Sequence, residues 1–527
     1  MFLKSSKIQI LVIVTLLLIS TTVNAIESHE IPSSYDLRDV QGHCYITPVK
    51  SQIVPGQWWN CVGICWACAS LASFESSLLK QGIVKDPNSI EANLSPWHLG
   101  CHIGYNHPNY EFNDTLVGDP QVPISYQLDN TMQYGYGGSP LFTVDYLSTG
   151  RGLVLETQAP VPIEQMRARE TLDRPEKNLP RHYMLRAGLV YERQDYGSDG
   201  EYRNAIKEAL MEHGALSSMM YLCAPDFPGQ NGHSYWRDDN YTDYYCDDPE
   251  LMDNVVHAVT IAGWDDQREI SGALGPGAWL IKDSMGTDFH DEGYLWISYH
   301  DTVFLKGHSY AVSFIADSGK GYSRQRYSTN SRTLSEPVAG ESMYESDGYS
   351  ALGRDSWCFA RFIASGDDHL KAVGLITVNN EEEVTINIFG AWDEAENKPC
   401  GLLHREEIVL EEKGYHVIDL NRLVKLDIGQ EFVIALGFRY SSRATREPLV
   451  YVTDAEPSSS DIRTYWASAD GDTGLSGWKE YSEERENALL YIQGITLEGS
   501  SSGGCSIEAF HPRLLLCLVP LMWLRRK

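Results

Sequence analysis

Gly63-Ile64-Cys65-Trp66-Ala67 opens the stretch on which the reading of this chain turns. From Cys65 to Lys80 the apolar residues Trp66, Ala69, Ala72 and Leu79 recur at helical spacing, and Gly82 supplies a stop signal. The spacing predicts a helix with Cys65 at its N-terminus. There the helix dipole and unpaired backbone N–H groups favour a thiolate, the form of sulfur that attacks a carbonyl. A cysteine on its own is more often structural, which is the reading given to Cys61 and Cys68, so Cys65 needs partners. Two later stretches supply them: Val255-Val256-His257-Ala258-Val259, continuing to Trp264, and Ala278-Trp279-Leu280-Ile281-Lys282-Asp283-Ser284. Both predict buried strands. A cysteine, then a histidine, then a strand ending in a carboxylate or amide is the arrangement that nucleophilic thiol catalysis needs.

Further segments carry a resemblance to the papain-like cysteine peptidases from Ile31 to about Tyr299. Ile31-Pro32-Ser33-Ser34-Tyr35-Asp36-Leu37-Arg38 is similar to the start of the mature enzymes. Thr47-Pro48-Val49-Lys50-Ser51-Gln52 resembles the segment that supplies their oxyanion-hole glutamine. Leu94-Ser95 resembles the turn after the catalytic helix, and Gly137-Gly138 the pair that binds substrate backbone. Lys282-Asp283-Ser284-Met285-Gly286-Thr287 with Gly293-Tyr294 resembles the family's Lys-Asn-Ser-Trp-Gly segment and the Gly-Tyr that follows it. The resemblance implies an α+β papain-like fold over residues 31–316, with a helical subdomain and a β-barrel-like subdomain. It implies Cys65 as nucleophile, His257 as acid and base, Asp283 as the group that orients the imidazole, and Gln52 with the Cys65 amide as oxyanion donors.

Five departures from the family pattern stand out. Asp283 occupies the usual asparagine position; a carboxylate accepts the same ring N–H and stabilises the imidazolium more strongly, so an altered pH profile is expected. Met285 stands where a tryptophan shields that hydrogen bond, and Cys68 where an aromatic is usual, which together imply poorer exclusion of water. Gln52 precedes Cys65 by 13 residues, with Val54 to Asn60 inserted, so Gln57 competes for the oxyanion role. No inhibitory propeptide is expected between Ala25 and Ile31.

Residues 317–350 are rich in Ser, Gly, Arg and Tyr and read as a linker. Beyond them, in residues 351–498, short β patterns follow one another: Lys371–Val378, Val384–Trp392, Tyr415–Leu420, Glu431–Phe438, Leu449–Thr453 and Ala488–Leu497. Val384, Ile386 and Ile388 alternate with Thr385 and Asn387, as in a half-buried strand. The pattern predicts an all-β sandwich of about 150 residues. It resembles the lectin-like domain attached to some bacterial and archaeal papain-like enzymes, notably in Leu370-Lys371-Ala372-Val373-Gly374 and Gly414-Tyr415-His416-Val417-Ile418-Asp419-Leu420. That likeness implies a cell-surface glycan as a partner. Trp392 and Trp478 are candidates for stacking on sugar, although buried sandwich tryptophans are commoner.

The ends of the chain point outside the cell. Lys4 and Lys7, the apolar run Ile8–Ile19 and small residues to Ala25 read as a signal peptide over residues 1–25. Residues 499–527 hold a Ser/Gly stretch, Cys505, the apolar run Leu514–Leu524 and Arg525-Arg526-Lys527. They read as a sorting or anchor tail that attaches the exported protein to a membrane at the cell surface; the apolar run is shorter than the roughly 20 residues that span a bilayer. The net charge of −30 excludes a nucleic-acid partner, because phosphate recognition needs basic clusters. Of the eleven cysteines, eight remain once Cys65, Cys505 and Cys517 are set aside, a number compatible with disulfides in an exported chain. No metal-ligand spacing occurs, and neither metal nor cofactor is assigned.

The expected function is that of a secreted or cell-surface cysteine endopeptidase acting on protein or peptide substrates through a Cys65 thioacyl-enzyme. The alternative is a catalytically silent papain fold that serves as an adhesion or glycan-binding module, motivated by Gln52, Asp283 and Met285. A transpeptidase using the same acyl-enzyme is a third reading.

Overall fold

From Trp66 to Leu79 the helix Cys65–Lys80 is buried on every side, which its apolar spacing alone would not require. Small polar residues make this possible by bonding to passing backbone. Ser73 Oγ accepts from the Phe314 amide at 3.1 Å and Ser77 Oγ from the Ala316 amide at 3.1 Å. Ser76 Oγ accepts from the Ala215 amide at 2.9 Å and donates to the Tyr45 carbonyl at 2.6 Å. Gly82, at φ +66, ends the helix in the left-handed region. The computed structural model describes residues 30–102, 138–148, 150, 152–170, 172–173, 175–222, 234–317, 326–328, 355–364, 368–396, 398–439, 451–452, 464–468, 479–480, 489–490 and 492–496. The expected signal peptide, nearly all of the expected linker and the expected tail lie outside them.

The helix packs against the strands Leu216–Met220, His257–Asp265 and Ala311–Ala316. These belong to one sheet whose order is Arg326–Ser328, Gln493–Thr496, Asp368–Thr377, Gly414–Leu426, Leu185–Tyr191, Ala311–Ala316, Leu216–Met220, His257–Asp265, Ala278–Lys282, Tyr294–Ser298 and Asp243–Tyr244. Ser34–Asp36 also pairs with His257–Asp265. The close approach there requires Gly263, since a Cβ would stand 2.1 Å from the Tyr35 carbonyl oxygen. The two strands predicted from sequence, His257–Asp265 and Ala278–Lys282, run antiparallel with Thr260 opposite Lys282. The start of one and the end of the other therefore meet at the same edge of the sheet.

A second sheet orders Lys398–Leu410, Glu382–Asp393, Glu431–Arg439, Asp355–Ile363, Thr464–Ser468 and Lys479–Glu480. It closes on the far end of the first sheet over a core that includes Leu370, Val373, Leu375, Val384, Ile386, Ile388, Phe432, Ile434 and Leu436. The alternation at Val384, Ile386 and Ile388 faces inward as expected. Asp355–Ile363, Lys398–Leu410 and Thr464–Ser468 are strands that the sequence pattern did not reveal. Trp392 is buried against Phe359 at 5.0 Å and beneath the Arg361 guanidinium at 4.8 Å, in a small cluster with Phe389 and Val433 on the face of the second sheet that points away from the sandwich core. Trp478 lies outside the described residues.

One sheet thus runs through both halves of the molecule, a continuity absent from the sequence reading. The link is Gly414–His416 paired with Ala187–Leu189. Gly414 sits at φ +141, and a Cβ on it would stand 2.1 Å from the Gly188 carbonyl oxygen. Beside it Lys413, 0% exposed, bridges Glu192 at 2.6 Å and Asp195.

Of the eight cysteines considered for pairing, all but Cys223 are described, and Cys44, Cys61, Cys68, Cys246, Cys358 and Cys400 are free thiols. Cys68 and Cys246 pack in the cores beside the first sheet and Cys358 in the sandwich core, acting as small apolar side chains rather than as disulfide partners.

Removing Lys413 would take the buried cation away from the Glu192 and Asp195 carboxylates, which are 14% and 7% exposed. Lys413→Ala is expected to lower stability by about 3 kcal/mol, read as a drop in the denaturant midpoint; a midpoint matching the parent's would contradict this account of the junction.

Candidate active site

The sheet edge described above brings three sequence-predicted groups into one line. His257 is the first residue of its strand and Asp283 follows the last residue of the next strand. His257 Nε2 donates to Asp283 Oδ1 at 2.7 Å, and the two side chains are 5% and 1% exposed. The other ring nitrogen serves the hydrogen bond to Cys65. Cys65 is the first residue of the buried helix, and Ile64 before it provides no side-chain cap. The amides of Ala258 and Trp66 bond to the Cys65 sulfur.

These contacts set the charges. Burial alone would raise the Cys65 thiol, but the hydrogen bond and charge of His257, with the two amides, outweigh it and bring the thiol below its ordinary range. Burial likewise opposes a charged His257, and the Asp283 carboxylate overcomes it, raising the imidazole to about 10. Asp283 is held well below the usual carboxylate range: burial works against ionisation, and His257 and a second histidine, His290, outweigh it. The arrangement favours a thiolate–imidazolium pair backed by a carboxylate.

Asp283 Oδ1 also accepts from the Ser284 amide at 2.7 Å, and its Oδ2 takes His290 Nε2 at 3.1 Å. The sequence reading missed His290. It lies seven residues past Asp283, and only the turn Met285–Gly293 folds it back; the signal available in sequence was the carboxylate itself, which needs more partners than an amide. The expected loss of water exclusion at Met285 is not what the structure shows. The His257–Asp283 bond is buried because His290, stacked on Trp236 with ring centroids 5.1 Å apart, covers the carboxylate.

Gln52 is 5% exposed, and its Oε1 makes no hydrogen bond among the described residues. Its backbone is stitched to the Asp283 segment and to the helix entry: the Gln52 amide donates to the Ser284 carbonyl at 2.8 Å, and the Val62 amide to the Gln52 carbonyl at 3.0 Å. The inserted residues fold out as a hairpin, Ile53–Val54 against Gln57–Cys61, with Ile53 opposite Cys61. The insertion therefore leaves Gln52 at its base, next to the approach to Cys65. Gln57 stands on the hairpin, where its Oε1 accepts from Asn60 at 3.2 Å. Gly138 lies against the indole of Trp66, where an added Cβ would approach Trp66 Nε1 to 2.6 Å. Gly137 lies outside the described residues.

Beneath the site is a buried ionic layer. Lys50 pairs with Glu75 at 3.2 Å and with Glu156. Glu75, 0% exposed, accepts from Thr47 Oγ1 and from the Leu94 amide at 2.7 Å. Lys282, pushed down to about 8 by burial, donates to the Thr47 carbonyl at 2.8 Å. Lys50, Cys68, Thr260 and Lys282 line a small internal cavity behind Asp283, which is not a substrate cleft. The layer ties the strand before Asp283, the helix after Cys65 and the segment before Gln52 to one another.

Since the imidazolium depends on the carboxylate, Asp283→Asn is expected to move the alkaline limb of kcat/KM, set by His257 at about 10, downward by about one to three pH units. The acid limb belongs to the Cys65 thiol. A peptide assay over pH checks this, and an alkaline limb unmoved by Asp283→Asn would contradict it.

Comparison with known proteins follows this geometry. Residues 31–312 match the model of the papain family cysteine proteases, and residues 343–472 match that of the lectin-like domain. Among solved structures, the clostridial cysteine protease Cwp84 after propeptide cleavage superposes with a TM-score of 0.62 at 17% identity, over 89% of this chain and 100% of that one. The cysteine protease and lectin-like domains of Cwp84, a surface layer associated protein of Clostridium difficile, give a TM-score of 0.61 at 17% identity, over 89% and 90% of the two chains. At that identity the likeness is one of fold. No curated protein sequence matches. The matched family model spans more than half of the chain, and the chain belongs to the papain family of cysteine proteases, with a lectin-like domain after the peptidase domain.

Proposed function

We propose that the protein is an exported endopeptidase in which Cys65 is the nucleophile, His257 the acid and base, Asp283 the orienting group and Gln52 an oxyanion donor. The observation that carries this reading is the hydrogen-bonded line from Cys65 through His257 to Asp283 at the N-terminus of a buried helix. The Cys65 thiolate adds to a peptide carbonyl, and the oxyanion takes hydrogen bonds from the Cys65 amide and the Gln52 side-chain amide, each such donor worth about 3 kcal/mol in the transition state. As the C–N bond breaks, the imidazolium gives its proton to the leaving amine. The neutral His257 then takes a proton from water, which adds to the thioester; collapse releases the acid product and restores the thiolate and imidazolium.

Gly138, and Gly137 beside it, are proposed to bind substrate backbone, a role supported by the packing of Gly138 on the residue that follows the nucleophile. Export and attachment through residues 499–527 rest on the sequence signals at the two ends. Among the described residues no helix is long and apolar enough to cross a membrane. The lectin-like domain supports a cell-surface glycan as a binding partner.

The test is cleavage of a peptide library by the purified protein, with mass mapping of an epoxide inhibitor selective for papain-like thiols. Modification at Cys65, and a fall in cleavage of about four orders of magnitude in Cys65→Ala, are expected. Cleavage that survives in Cys65→Ala would overturn the assignment. In a second assay, Gly138→Ala is expected to lower kcat/KM on the same peptides by about tenfold or more, because the new methyl must displace the Trp66 ring beside the nucleophile. Unchanged kcat/KM would remove Gly138 from the site.

A further inference from the structure

His290 is held more firmly than a loop residue needs to be. Its side chain is 4% exposed. Its backbone lies at φ +55, an unfavourable conformation for a residue with a Cβ, which persists where surrounding contacts dictate it. Nδ1 lies 2.6 Å from the Tyr241 carbonyl oxygen, Nε2 lies 3.1 Å from Asp283 Oδ2, and the ring stacks on Trp236 at an interplanar angle of 28°. A carbonyl and a carboxylate only accept hydrogen bonds. Both ring nitrogens must therefore donate, and the ring that satisfies both contacts is an imidazolium.

We propose that His290 is a positioning residue for the peptidase reaction: the counter-charge that lets a carboxylate take the place of an amide behind His257. The proposal rests on the catalytic reading of Cys65 and His257 given above. It follows from the opposing demands on the carboxylate. An imidazolium must be acidic enough to protonate the leaving amine, and an uncompensated buried carboxylate would hold its proton too tightly. A cation on Oδ2 takes up part of that charge, and it fixes the carboxylate so that Oδ1 faces His257. A neutral amide at position 283 would have no such charge to offset.

The surroundings of the ring fit this role. From the loop before it, Asp283 presents its carboxylate, with His257 on the other side of that group. From the segment 234–244 come the Trp236 face, on which a cation is favourably placed, and the Tyr241 carbonyl. The Phe289 ring lies at 6.3 Å. Asp291, next in the chain, exerts its charge on Arg38.

The experiment is a double-mutant cycle in the full chain: His290→Phe in the Asp283 parent and in Asp283→Asn, with kcat, KM, the pH profile and Tm measured for each. With Asp283 in place, His290→Phe is expected to lower kcat by about tenfold or more with KM little changed, and to move the alkaline limb upward, because His257 then feels the whole carboxylate. In the Asp283→Asn background the same substitution is expected to cost less than about threefold. His290→Gln keeps a neutral donor and the fold; it is expected to recover part of the kcat while leaving the alkaline limb raised. Equal losses in both backgrounds with an unmoved alkaline limb would overturn the proposal and leave His290 a packing residue. If His290→Phe does not fold, an alkaline limb unmoved in His290→Gln does the same. Cleavage persisting in Cys65→Ala would instead sink the underlying catalytic reading, so the two failures are distinguishable.

Discussion

A buried imidazole that must carry a proton needs an anion within hydrogen-bonding distance, and in this protein the anion is Asp283. The 2.7 Å bond between His257 Nε2 and Asp283 Oδ1 is almost wholly removed from water, so its attraction is little screened and its alignment is fixed by the strands on either side. The register of those strands, with Thr260 opposite Lys282, puts the two side chains at one edge of the sheet. The helix carrying Cys65 then has a single useful way to point, with its first residue toward that edge. A carboxylate in this position makes the ion pair with the thiolate strong, and it adds a negative charge that has to be managed nearby.

The same demand explains how much polar material lies inside the peptidase half. Glu75 sits in the middle of the catalytic helix with no exposure, a position that costs free energy unless it is compensated. Lys50, Thr47 and the Leu94 amide compensate it, and Lys282 reaches the same group of residues from the strand that ends at Asp283. Ser73 and Ser77 of the helix bond to strand backbone and Ser76 to the adjoining loops in place of apolar contact, which lets the helix lie within the protein rather than on it. Midway along the same sheet, Lys413 performs a similar task between the two domains, where paired strands and the ion pairs of a fully buried lysine join the lectin-like sandwich to the peptidase sheet.

How much of this could be read from the sequence depended on whether a feature is local. The helix Cys65–Lys80 and the strands that start at His257 and end at Lys282 were legible because each has its own periodicity and its own punctuation. Cys65, His257 and Asp283 stood out as polar or reactive groups at the ends of such elements. Gln52 was legible only through its segment, and the hairpin that keeps it in place despite the insertion appears only in three dimensions. His290 could not be found, because the residue it serves is reached through a turn with no apolar pattern. The sheet shared by the two domains was invisible because the need for glycine at position 414 appears only where it meets the Gly188 carbonyl across the junction. The cysteine count was compatible with disulfides, whereas Cys68, Cys246 and Cys358 are buried free thiols that pack as apolar side chains. The inward alternation of Val384, Ile386 and Ile388 was legible, but the strand Lys398–Leu410 was not, because its exposed charged positions hide the period.

The protonation state of His257 in the resting enzyme tests the central claim most directly. Nitrogen-15 NMR of the histidine-labelled protein, with the His257 signals assigned by their loss in His257→Gln, reads it at neutral pH. The account predicts an imidazolium with both ring nitrogens protonated, accompanied by the ultraviolet absorbance of a Cys65 thiolate that disappears in Cys65→Ala. A neutral imidazole beside a protonated Cys65 thiol at that pH would contradict it.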